Sequence, residues 1–214
     1  MHFLKTKFIK IYRSIKYNLH HGGIPRIYRK IFKSFINLLY FHDRILIYEF
    51  DLRRPPIQPV ITLVTQKLLF SDLQAINYLK ARFFPESIKN RFSKGEECYG
   101  FYINNELSHI VWVNHNYLRI NDNFKSIPIT NGVGIYDAIT FSEFRKRGIF
   151  RSVLSYLQMR FKEQGKGKLL IAVAPDNLAS IKAIKNAMFE PLYDFAFYRI
   201  FFIFKQSILK KIAD

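Results

Sequence analysis

The distribution of apolar and polar positions divides the chain near residue 43. Before that point apolar residues recur at helical spacing in two sets, Phe8, Ile11, Tyr12, Ile15 and Leu19, then Ile27, Ile31, Phe35, Leu38 and Leu39. This predicts two short amphipathic helices, interrupted at Gly22-Gly23-Ile24-Pro25. From Arg44 the texture becomes strand-like. ILIYEFDL (45–52) predicts a strand, RRPPIQP (53–59) a turn-rich break, and VITLVT (60–65) a second strand. SDLQAINYLKARF (71–83) opens on Ser71 and Asp72 as caps and carries Leu73, Ile76, Leu79 and Phe83 on one face, which predicts a helix. A shorter helix follows from Pro85 to Phe92.

ECYGFYINNELSHIVWVNH (97–115) reads as two strands around Asn104-Asn105, residue types that accept the left-handed backbone of a tight hairpin turn. YLRINDNFKSIPI (117–129) and GVGIYDAITF (132–141) continue as a further pair. Ile149, Val153, Leu154, Leu157 and Phe161 then form a helical stripe that ends at Gly165. LLIAVA (169–174) reads as a buried strand, and 177–188 as a helix entered through Pro175-Asp176. LYDFAFYRIFFIF (192–204) alternates and finishes in an apolar strand, with a Lys-rich tail behind it. No internal repeat is present. The order predicts a mixed α/β domain over 44–214, a central sheet flanked by helices, behind a basic helical extension over 1–43.

Charge changes the reading of the extension. The 214 residues are 49% apolar, enough for a sizeable core, yet the formal net charge is +18. No Asp or Glu occurs before Asp43, while Lys5, Lys7, Lys10, Arg13, Lys16, Arg26, Arg29, Lys30 and Lys33 do. One reading is an interfacial anchor on anionic lipid, each basic residue contributing about 1 kcal/mol near the surface. Another is a pair of helices packed on the domain with a solvated basic face. Nucleic-acid phosphates would need the same charges, but no nucleic-acid-binding motif accompanies them, so nucleic acid is not the expected partner.

Cys98 is the sole cysteine, which excludes an intramolecular disulfide and fits a reducing compartment. The six histidines, His2, His20, His21, His42, His109 and His115, form no His-x-x-x-His pair, so no metal site is expected. No apolar run reaches the roughly 18–20 residues of a membrane span, and lysines interrupt every N-terminal apolar stretch of a would-be signal. A cytoplasmic protein, at most peripheral to the inner face of a membrane, is the expectation.

The stretch FSEFRKRGIFRSVL (141–154) places Arg145, Lys146, Arg147 and Arg151 around Gly148 where a strand gives way to a helix. Unpaired backbone N–H groups converge at such a helix start and bind anions, and glycine permits close backbone approach. An ordinary β-to-α turn with a solvated basic rim has the same residues. Neither GxGxxG nor a P-loop ending is present. The stretch resembles the signature of the GCN5-related N-acetyltransferases, Arg/Gln-x-x-Gly-x-Gly/Ala. Arg145-Lys146-Arg147-Gly148-Ile149-Phe150 matches it through Gly148 and departs at Phe150, where the family has a small residue. The resemblance continues through the strand LLIAVA, Asn177-Leu178-Ala179-Ser180 opening a helix, and Met188-Phe189 at its end, over roughly residues 60–203. Met188 replaces the family's usual Gly, and Ile184 stands where a tyrosine often serves as general acid.

The resemblance implies acetyl-CoA, or another acyl-CoA, as co-substrate and a primary amine as acceptor. Ile139, Thr140 and Phe141 would contact the pantetheine arm. Arg145, Lys146, Arg147, Gly148, Ile149, Phe150 and Arg151 would take the pyrophosphate, with Asn177 and Ser180 near the cofactor and Asn177 also an N-cap. Amine acetylation needs a neutral nucleophile and a protonated leaving group. Asp137 is the ionisable residue best placed as base, with Glu143 nearer the turn; a structural acceptor at a strand distortion is the other account of Asp137. Tyr136 and Tyr193 are candidates for the acid, a buried tyrosine bonded only through its hydroxyl being the competing account; His109 and His115 lie on the facing strand, either as satisfied or exposed strand histidines or facing substrate. The charge of the extension points to an amino sugar or cell-envelope precursor as acceptor; a non-catalytic acyl-CoA-binding, membrane- or nucleic-acid-associated protein on the same fold is the alternative.

Overall fold

The computed structural model describes residues 40–75, 85–120, 126–200 and 204–212. The two basic helices expected before residue 40 lie outside them, as does the C-terminal part of the helix expected over 71–83. The chain divides into two compact units, residues 1–43 with 196–208, and residues 44–195 with 209–214. The second carries most of the described strands and helices.

Its strands are β1 (Tyr40–Asp51, from residue 44 on), β2 (Val64–Leu68), β3 (Glu97–Ile103), β4 (Glu106–Asn114), β5 (Tyr117–Leu118), β6 (Ile127–Pro128), β7 (Gly132–Thr140), β8 (Lys168–Val173), the first half of β9 (Glu190–Ile200) and the end of β10 (Phe204–Lys211). The helices are α1 (Phe70–Ala75), α2 (Pro85–Ser93), α3 (Ile149–Glu163) and α4 (Leu178–Asn186). The main sheet runs β10-β9-β1-β8-β7-β4-β3-β2, and β5 and β6 pair separately. β7 and β8 pair in parallel, since α3 carries the chain back between them; β1–β8, β2–β3, β3–β4 and β4–β7 are antiparallel. The β3–β4 turn holds Asn104 at φ 50° and Asn105 at φ 66°, the left-handed pair that a two-residue hairpin needs.

Alternation along the strands separates two apolar layers. On one face Tyr48, Phe50, Phe101, Val111, Val113, Val133, Ile135 and Ile171 meet Val153, Leu154, Leu157 and Phe161 of α3 and Ile184 of α4. On the other, Cys98, Ile110, Trp112, Tyr136 and Ile139 meet Leu73 of α1 and Ile88 of α2. Gly134 is the point where β5 crosses β7: a Cβ there would lie 2.5 Å from the carbonyl oxygen of Tyr117. Among the described residues no helix is long and apolar enough to cross a membrane.

The strand expected over 60–65 is a correction. β2 begins only at Val64, and the chain before it lies along α3 as a strap. Val60 and Ile61 both donate their backbone N–H to Ser152 Oγ (2.9 and 3.1 Å), Ile57 donates to Gln158 Oε1 (3.0 Å), and Ser155 Oγ donates to the Ile57 carbonyl. Side chains of a helix, not a neighbouring strand, take these backbone groups, so the alternating pattern builds no ladder here. The Lys-rich tail behind the apolar strand belongs to β10.

Candidate functional site

The parallel ladder between β7 and β8 ends at Ile135↔Ile171. Beyond it β8 keeps its pairing with β1 as far as Val173↔Leu46, while β7 stays with β4, so the two strands part. The pairing of β7 with β4 slips at the same place: Trp112 faces Tyr136 and Ile110 faces Ile139, which leaves Asp137 and Ala138 opposite Val111. This is a β-bulge, and Asp137 adopts φ 46° to form it. Bulges bend a strand and re-aim its side chains. Ile139 and Thr140, still paired with Ile110 and His109 of β4, and Phe141 after them therefore run along the mouth of the opening.

The chain next makes a short 3₁₀ turn, Ser142–Phe144, and enters α3 through Lys146 at φ 63° and Gly148 at φ 78°. Gly148 is the N-cap, no side chain caps the helix, and its first turn contains no acid. The first N–H groups of α3, at Ile149, Phe150 and Arg151, have no intrahelical acceptor by helix geometry, whereas Ser152 already bonds Gly148 (3.1 Å). A Cβ on Gly148 would touch only Val60 of the strap, at 3.6 Å. The glycine is thus required for its backbone angle and leaves the helix end open to an anion.

The basic side chains form an exposed rim. Arg145 donates to the Thr140 carbonyl (3.1 Å), Arg147 lies over the Phe144 ring at 5.7 Å, and Arg151 donates to the Asn186 carbonyl at the end of α4 (3.1 Å). Phe150 points inward and stacks on His109 at 5.5 Å, so a bulky residue at this place leaves the amide side of the turn clear. His109 is buried, bonds Thr140 Oγ1 through Nδ1 (2.8 Å), and is pushed by burial down to about 3. It is a neutral ring at ordinary pH. The exposed Glu143 accepts from Ser142 Oγ (2.8 Å), and its carboxyl is held below its usual range by backbone and Ser142 hydrogen bonds. Asn177 caps α4 by accepting from the Ser180 N–H at 3.2 Å.

By sequence, no family model and no curated protein matches the chain. By structure it is similar to a GNAT-family protein from Novosphingobium aromaticivorans, at 13% identity over 73% of this chain and 63% of that one, with a TM-score of 0.53. A GCN5-related N-acetyltransferase from Sphaerobacter thermophilus matches at 10% identity over 86% and 58%, with a TM-score of 0.55. The chain has the fold of the GCN5-related N-acetyltransferases. It also matches the glucosamine N-acetyltransferase region of a fungal multi-domain β-N-acetylglucosaminidase, at 13% identity over 79% of this chain and 22% of that one, TM-score 0.53. The chain spans less than two thirds of the length of each of these neighbours.

Within this GNAT fold the expected acid and base residues separate. Asp137 is on the bulge, and its Oδ2 accepts from Arg91 Nη2 of α2 at 2.6 Å. Tyr136 turns into the core and donates its hydroxyl to Glu96, which also accepts from Tyr117 and lies 3.9 Å from Arg119 Nη1. Burial, reinforced by Glu96, pushes the Tyr136 phenol far up, and Tyr117 is pushed up to about 12 by the same causes. Tyr136 is therefore a correction: its proton is committed to Glu96 in a buried network. Tyr193 is another, because it sits on β9 with β1 and β8 between it and β7, about 14 Å across the sheet at the usual strand spacing. Ile184 is fully buried and offers no proton. His115 lies against the ring of Phe161 (5.7 Å), towards the far end of α3. Arg91 and Glu96 carried no signal in the sequence beyond being charges beside apolar runs; only the tertiary pairing gives them roles.

Proposed function

We propose that the protein transfers an acetyl or longer acyl group from acyl-CoA to a primary amine. The observation that carries this reading is the continuous path from the parted β7 and β8, along Ile139 to Phe141, to the uncapped start of α3 at Gly148. Acyl-CoA would supply an activated thioester. The amides of Gly148, Ile149, Phe150 and Arg151 and the rim of Arg145, Lys146 and Arg147 suit its pyrophosphate, and the free edge of β7 its extended arm. Asn177 and Ser180 flank the cofactor from α4.

Asp137 is the base in this scheme. Its Oδ1 has no protein partner among the described residues, and its side chain is 31% exposed. The amine nitrogen bonds the acyl carbon as it gives a proton to this carboxylate, the carbon–sulfur bond breaks, and the departing sulfur takes a proton from a water that is made good by the proton Asp137 holds, since Tyr136 and Ile184 supply none. An amino sugar is the first acceptor class to examine; one neighbour of the same fold is a glucosamine N-acetyltransferase region. The basic extension, 1–43, would hold the protein at an anionic, cytoplasmic membrane face where a carrier-linked acceptor is met.

Calorimetric titration of acetyl-CoA into the wild type and Gly148→Glu tests the reading. Wild-type binding that the variant loses is expected, because a carboxylate in the anion site repels phosphate and the new side chain strains φ 78°. A panel of primary amines led by glucosamine follows. Acyl-CoA binding without transfer to any amine would favour a non-catalytic acyl-CoA carrier, and a folded wild type that binds no acyl-CoA would end the proposal.

A further inference from the structure

We propose that Arg91 is a positioning residue for this reaction: it holds Oδ2 of Asp137, maintains the left-handed bulge of β7, and so keeps the β7–β8 opening and the base in register. The role rests on the acyl-transfer reading above and names the residue that sets its geometry.

Asp137 is a non-glycine residue at φ 46°, a conformation that costs energy for any residue with a Cβ and persists only where the surroundings hold it. The surroundings come from the far face of the sheet. Arg91 is in the last turn of α2, one turn beyond Ile88, which is buried in the apolar layer against Trp112 and Tyr136. Its guanidinium lies over both rings, 4.9 Å from Trp112 and 5.6 Å from Tyr136, and its side chain is 5% exposed. A cation in such a place needs an anion. Asp137 supplies it only while the bulge turns its side chain to this face.

The consequence for the site follows from the register. The bulge begins one residue after Tyr136, and Ile135 makes the last rung with β8. A regular backbone at Asp137 would put every later β7 side chain on the opposite face and carry the strand on alongside β8. Thr140 would then lose His109, which bonds it from β4. Arg91 is thus linked through one carboxylate to the opening, and holding Oδ2 leaves Oδ1 for the acceptor amine.

The test compares wild type, Arg91→Met and Arg91→Lys by three readouts. These are the amide-to-α-proton coupling of residue 137 by NMR, acetyl-CoA affinity by calorimetry, and kcat with acetyl-CoA and the amine panel. In Arg91→Met the coupling is expected to move to that of extended backbone, acetyl-CoA affinity to weaken as the β7 edge that receives its arm closes, and kcat to fall roughly tenfold or more. Arg91→Lys keeps the charge without the planar fork and should fall between; it is the deciding variant if Arg91→Met does not fold. A residue 137 that stays left-handed overturns the clamp, and wild-type kcat despite an altered coupling overturns the positioning role. A wild type without transfer activity would instead end the acyl-transfer reading and the positioning role with it, and the coupling alone would then decide the clamp.

Discussion

His109 sits between the rings of Phe101 and Phe150 with one nitrogen on Thr140, and its pKa is lowered to about 3 because charging it there means losing water. In the unfolded chain the same ring titrates near 6.5. Between those values the unfolded state takes up a proton that the native state refuses. The associated stability is therefore complete above about pH 6.5 and is lost as pH falls towards 3, at about 1.4 kcal/mol per pH unit. Urea unfolding at pH 6.5 and pH 5 should show the wild type losing about 2 kcal/mol more than His109→Phe; equal losses would mean that the imidazole is solvated after all. Residue type alone left His109 as a strand histidine that either faced substrate or did not, and burial between two rings is a tertiary fact. Met188 shows the reverse. The missing glycine at the end of α4 was visible in the sequence, and Met188 takes φ 60° nonetheless, with Phe189 bonding back to Ile184 at 3.2 Å. The strain is roughly 1 kcal/mol, which buried Phe189 and Ile184 offset.

The strap over α3 is where local pattern and structure diverge most. VITLVT alternates as a strand does, but Ser152, Ser155 and Gln158 recur every third position within the buried face of α3 and take the backbone groups that a strand would have used. Polar residues at that spacing inside an apolar stripe were the available signal; they ask for a partner chain, though they do not say which. The hairpin at Asn104-Asn105 and the turn at Gly148 were legible because both depend on backbone angles that few residue types accept. Ser152→Ala removes one hydroxyl that serves two N–H groups, so the expected loss is about 1–3 kcal/mol. Hydrogen exchange should accelerate at Val60 and Ile61 while amides of β4 and β7 stay protected. Unchanged exchange at those two amides would show that the strap is held by Ile57, Ile61 and Leu63 in the core alone.

Across the whole molecule the basic turn at Gly148 was readable because it is contiguous, and the polar cluster around the bulge was not, because it joins Arg91 to Asp137 across 46 positions and Glu96 to Tyr136 across 40. Net charge is the molecular property that the sequence states outright, and at +18 it bears on every anionic partner. A phosphate-bearing co-substrate, as proposed, would account for only a few of these charges, since the acid-free extension lies far along the chain from Gly148. If the extension meets anionic lipid as proposed, full-length protein should float with phosphatidylglycerol vesicles at low salt and remain behind with uncharged phosphatidylcholine. Replacing Lys5, Lys7, Lys10, Arg13 and Lys16 by glutamine should abolish flotation, at about 1 kcal/mol per charge. Raising salt to about 1 M, where the Debye length is about 3 Å, separates two modes of attachment. Release would mean a surface held by charge, and retention would mean that the apolar set Phe8, Ile11, Ile15 and Leu19 enters the headgroup boundary. Protein that fails to float at low salt would remove the membrane from the proposal and leave the extension's charge to serve a soluble anionic acceptor.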